Sequence, residues 1–97
     1  MTSPAERFAA NLKRMRVAAG LSQEAVAFRA NIHRTQVSLL EKGERMPRVE
    51  TLVKLGGAIG ATPDDLLAGI TWEPITVVEG GLLVAGSEDG DDAAEET

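Results

Sequence analysis

The run from Leu21 to Gly43 constrains the fold more than any other part of this chain, because its apolar residues describe two short helices joined by a tight turn. Counting Gln23 as the first position, the small Ala27 stands fifth, where two crossing helices need close approach. Asn31 stands ninth, in the turn, where an Asn tolerates left-handed backbone. Ile32, Val37 and Leu40 then seat the second helix on the first. Steps of about 100° per residue put Val37 and Leu40 on one side, with Arg34, Thr35, Ser38 and Leu39 on or beside the opposite one. The second helix therefore presents a polar outer face suited to the major groove of DNA.

Helical grammar continues on both sides of this pair. Ser3 and Pro4 read as a cap and a first-turn proline, followed by Phe8, Leu12, Met15 and Ala19 at helical spacing until Gly20. Ser22 caps the next helix, which ends near Arg29, and Asn31 or His33 opens the third, which runs to Glu41 and stops at Gly43. After Pro47, a buried stripe of Val49, Leu52, Val53, Leu55 and Ile59 predicts a fourth helix, terminated by Gly60. Gly56 and Gly57 inside it cost about 1 kcal/mol each relative to Ala, which is either close packing against another backbone or simple tolerance. Thr62, Pro63, Asp64 and Asp65 open a short fifth helix carrying Leu66 and Leu67.

The expected fold class is all-α: a compact five-helix domain over residues 1–69, with two appendages. From Ile70 the chain turns β-branched and aromatic, and Glu79-Gly80-Gly81 can turn, so 70–85 reads as a short β-hairpin. A lone hairpin is marginal in water, so it must pack on the helices or pair with another chain. Trp72, Ile75, Val77, Leu82 and Val84 are accordingly a hairpin packed on the domain or, on the sharper reading, a dimerisation element. Residues 86–97 lack apolar periodicity and are dense in charge, which predicts a disordered acidic tail.

Charge placement resolves an apparent conflict. The net charge of −5 is unpromising for a nucleic-acid binder, yet all ten basic residues lie at or before Lys54. Residues 1–70 carry those ten against seven acids, a net +3, while the remainder holds eight acids and no base, a net −8. Without Cys there is neither a disulfide framework nor a thiolate metal site. No apolar run approaches the roughly 18 residues that span a bilayer, so the expected location is cytoplasmic, with no membrane partner. With no paired His and no glycine-rich phosphate loop, an enzyme is not expected, nor a cofactor. His33, the single histidine, lacks a second ligand for a metal and reads as a cap or a phosphate contact.

Residues 4–69 resemble the lambda-repressor-like (Cro/repressor, Xre-type) helix-turn-helix family through Leu21-Ser22-Gln23-Glu24, Ala27, Ile32, Val37, Leu40-Glu41-Lys42-Gly43, Pro47, Leu52 and Ile59. Asn31 departs from the family, which usually has Gly there. The resemblance implies a transcription regulator, with repression commoner than activation, bound to double-stranded operator DNA as a homodimer. A second class remains open, an antitoxin-type module that binds DNA and also engages a small protein partner.

Carried over from the family, Arg34, Thr35 and Leu39 look at base edges, with Arg34 placed for guanine O6 and N7. Arg34 alternatively meets phosphate or solvent, and Leu39 either touches a thymine methyl or is an ordinary exposed leucine. Ser38 and Gln36 contact base or phosphate. Gln23, at the start of the second helix, is aimed at a phosphate or is a cap neighbour. Lys42, Arg45 and Arg48 track the DNA backbone, with Lys13 or Arg14 at its edge. Arg16 and Glu41 are implied to pair structurally, joining the first helix to the end of the third.

Overall fold

The computed structural model describes residues 2–79 and 82–85. Five helices follow one another: α1 (Pro4–Ala18), α2 (Gln23–Ala30), α3 (Arg34–Glu41), α4 (Val49–Ile59) and α5 (Pro63–Leu66). Their ends are written in local chemistry. The Glu6 amide donates to Ser3 Oγ at 3.1 Å while the Ser3 amide donates to Glu6 Oε1 at 3.0 Å, so two orphan amides of α1 are satisfied reciprocally. Thr62 and Asp65 repeat the device at α5, both bonds at 3.0 Å. Hydrogen bonding of the Asp65 carboxylate to Thr62, to its backbone amide first and its side chain second, holds that carboxyl below the usual carboxylate range. Asn31 ends α2 with φ 57° and ψ 47°, the left-handed conformation the tight turn requires.

Every helix contributes to one core. Phe8 and Leu12 of α1, Val26 of α2, Val37 of α3, Leu55 of α4 and Leu66 of α5 are all fully buried. At about 1.5 to 3 kcal/mol for each large apolar side chain removed from water, this cluster seats α3 through Val37 and Leu40.

Two expectations are corrected. The buried stripe of α4 does not include Val49 and Val53, which are 77% and 56% exposed; its inward face is Leu55, Gly56 and Ala58, with Leu52 and Ile59 half-buried. The five apolar residues of the predicted stripe span more than one face of an α-helix. Gly56 sits close against the Ala61 carbonyl in the turn that ends the helix, and Ala58 is buried. The second correction concerns the chain after the helices. There the backbone of β1 (Thr76–Glu79) pairs antiparallel with β2 (Leu82–Ala85), Val77 opposite Val84. The segment leading into it does not pack its apolar side chains on the domain, since Trp72 is 73% and Ile75 70% exposed. Apolar content signalled burial there, but exposure of Trp72 and Ile75 shows that content alone does not secure a packing partner. The tail expected to be disordered, 86–97, and the glycine turn at 80–81 lie outside the described residues.

The two glycines of α4 divide the alternatives between them. A Cβ on Gly56 would stand 2.7 Å from the Ala61 carbonyl oxygen, whereas one on Gly57 would meet nothing within 4 Å. Gly56→Ala is therefore expected to cost about 1 to 3 kcal/mol by overpacking against backbone. Gly57→Ala should instead stabilise by up to about 1 kcal/mol through helix propensity. Urea denaturation of the two variants checks this, and equal effects would show that Gly56 packs no more tightly than its neighbour.

Candidate nucleic-acid interface

Helix α3 is short, so its ends decide how its outer face is held. At its start, the Thr35 amide donates to Nδ1 of the His33 ring at 3.0 Å, making His33 the cap. A neutral ring that accepts at Nδ1 carries its proton on Nε2, which remains a donor. Arg34, Thr35 and Gln36 in the first turn are exposed, while Ser38 and Leu39 one turn later are half-buried. The accessible polar surface is thus concentrated at the N-terminal turn, the end a groove-reading helix presents to base edges.

The other end of α3 is fastened by one carboxylate. Arg16 of α1 donates from Nε to Glu41 Oε2 at 2.6 Å and from Nη2 to Glu41 Oε1 at 3.0 Å, a bidentate pair whose side chains are 12% and 4% exposed. Arg16 Nη1 also donates to the Leu21 carbonyl at 2.8 Å. Hydrogen bonding to Glu41 chiefly, and its charge, raise the Arg16 guanidinium above its ordinary value against the opposing effect of burial. Gln23, the first residue of α2, donates its Nε2 to Glu41 Oε1 at 3.0 Å. Glu41 therefore ties α1 and the start of α2 to the end of α3, and Arg16 extends the link to the α1–α2 loop.

Lys42, Arg45 and Arg48 are exposed in the chain that follows α3. Arg45 and Arg48 line an open groove of about 460 Å³ together with Ile32, Gln36, Leu40 and Met46. Arg48 stands at the N-cap of α4 and gives it no side-chain cap. The first turn of α4 thus has no side-chain cap, and the groove beside it is lined by Arg45, Arg48 and Lys54 together with one acid, Glu50. The sequence signal was the missing Ser, Thr, Asp or Asn before Val49. Lys13 and Arg14 are exposed on α1.

Asn11 went unremarked in the sequence. It is 2% exposed, donates Nδ2 to the carbonyls of Leu66 and Ala68 at 2.9 Å each, and accepts from Arg14 Nη1 at 3.2 Å. It closes the end of α5 and orients one edge cation. Its only trace was a polar residue between Phe8 and Leu12 on the apolar stripe. Trp72 and Ile75 are largely exposed and line an open pocket beside the start of α1 together with Arg7 and Ile70.

A capped short helix with an exposed polar first turn, seated by two core residues and followed by exposed cations, defines a helix-turn-helix DNA-binding domain. The chain belongs to the helix-turn-helix family HTH_3, of Xre/Cro type, whose model matches residues 12–66. The control protein C.BamHI of Bacillus amyloliquefaciens is 40% identical over 47 residues, 48% of this chain. The chain spans 58% of that relative's length. Among solved structures, the restriction-modification controller protein C.AhdI from Aeromonas hydrophila superposes with a TM-score of 0.62 at 34% identity, over 64% of this chain and 94% of its own. An HTH_3 family transcriptional regulator from Vibrio cholerae gives 0.63 at 28% identity, over 67% of this chain and 36% of its own. The family match ends at Leu66, before the strand pair. No helix among the described residues is long and apolar enough to cross a membrane.

Proposed function

We propose that this chain is a sequence-specific transcription regulator that occupies a palindromic operator in double-stranded DNA as a homodimer and acts as a repressor. The observation that carries the reading is the exposed first turn of α3, with Arg34 and Thr35 outward while Val37 and Leu40 are buried behind them. Arg34, Thr35, Ser38 and Leu39 then read base edges. His33 through Nε2, Gln36, Lys42, Arg45 and Arg48 hold the phosphate backbone. Gln23 joins them without leaving Glu41, because a side-chain amide nitrogen has two protons and Glu41 takes one. The controller-protein relatives favour target genes of a restriction–modification system.

Dimerisation is assigned to the segment from Trp72 to Val84. Its support is the exposure of Trp72 and Ile75, two large apolar side chains that a second copy can cover. Selection from a randomised duplex library, with sedimentation of the complex, tests both parts. Two inverted half-sites about 34 to 36 Å apart are expected, bound by two chains. Substituting Trp72→Glu and Ile75→Glu should shift the free protein toward monomer. Enrichment of a single asymmetric site bound by one chain would overturn the dimer, and absence of any enrichment would overturn sequence-specific binding.

A further inference from the structure

We propose that the DNA-facing basic surface also binds the chain's own acidic segment, residues 86–97, which thereby competes with non-specific DNA; this rests on the reading of that surface as a DNA site. Arg34, Lys42, Arg45 and Arg48 are all exposed. Among the described residues the ion pairs are Arg16 with Glu41 and Glu50 with Lys54, so neither neutralises any of these four cations. The complementary charge lies at the other end of the same chain, where Glu88, Asp89, Asp91, Asp92, Glu95 and Glu96 fall within nine residues and no base follows Lys54.

Twelve residues follow Ala85, up to about 40 Å of chain at full extension. Charge density decides what the segment can displace. Its six charges along an extended chain amount to one per about 5 Å, against one per about 1.7 Å of duplex axis. The segment is therefore a weaker ligand than a duplex that is both charged and read at its bases, but a competitor for a duplex held through phosphates alone. Non-specific affinity should fall proportionally more than operator affinity, which widens the specificity ratio.

The test compares the full chain with a full-length variant in which those six acids become Gln or Asn, using a random-sequence duplex and the selected operator as probes. At low salt the neutralised variant should bind random duplex about tenfold tighter, with a smaller gain on operator. The gain should shrink to within about twofold near 0.3 M salt, as screening shortens below about 8 Å. Carbodiimide cross-linking of the unmodified protein should join the Lys42 amine to a carboxylate between 88 and 96, and excess duplex should abolish the cross-link. Equal affinities of the two proteins at low salt, or no Lys42 cross-link, would overturn the proposal while leaving DNA binding intact. Failure of both proteins to bind any duplex would instead remove the reading on which it rests.

Discussion

Arg16→Ala is expected to lower the stability of the fold by about 3 to 5 kcal/mol, the largest effect of any single polar substitution argued for this protein. The reason is the partner left behind. Glu41 has a side chain only 4% exposed, and two of its three hydrogen bonds come from Arg16. Removing Arg16 leaves a desolvated carboxylate with one amide donor, and it strips the Leu21 carbonyl of its side-chain partner as well. Domains are stable by about 5 to 15 kcal/mol in total, so such a loss removes a large share of the stability and should lower the unfolding midpoint markedly. The origin of the loss can be isolated with the double substitution Arg16→Met and Glu41→Leu. That variant removes the stranded charge along with its partner and should recover most of the stability. Urea denaturation followed by circular dichroism measures both; an Arg16→Ala protein that melts like the parent would mean that Glu41 is held by something other than this pair.

How far the fold could be read in advance depended on how local each determinant is. Ser3 with Pro4, Thr62 with Pro63, and Asn31 act within three or four residues of themselves, and each stands where local chemistry put it. The Arg16–Glu41 pair joins residues 25 apart, beyond the reach of any helical period, and was visible only through family resemblance. Asn11, whose partners lie 55 and 57 residues away, had no such help. Helix α4 shows a different limit. An apolar residue marks a candidate for burial, but Val49 and Val53 are exposed while Gly56 and Ala58 are buried, and the tight fit of Gly56 against the Ala61 carbonyl exists only once the turn after the helix has formed. For the site, spacing located the outer face of α3 and the cations after it. It did not reveal that Gln23 is already bonded to Glu41, because that bond exists only once α2 and the end of α3 are packed together.

Arg34→Ala is expected to relax base preference at one position of each half-site, by about 1 to 3 kcal/mol or roughly 5- to 150-fold in discrimination. Arg34 is the first residue of α3, directly after the His33 cap, and its side chain is exposed rather than committed to the core. A guanidinium offers paired donors in a planar fork that matches guanine O6 and N7, so its loss is felt where that base stands and little elsewhere. Arg48→Ala provides the contrast. Arg48 stands at the start of α4 beside the groove, the place proposed for a phosphate contact, and its removal should weaken binding to every sequence alike while reducing the salt slope by about one. Neither side chain is in the core, so both variants should fold as the parent does, and equal melting is the control. Binding profiles across a randomised operator library, repeated at several salt concentrations, separate the two roles. If Arg34→Ala lowers affinity uniformly and flattens the salt dependence as Arg48→Ala does, Arg34 is a backbone contact, and sequence reading falls to Thr35, Ser38 and Leu39.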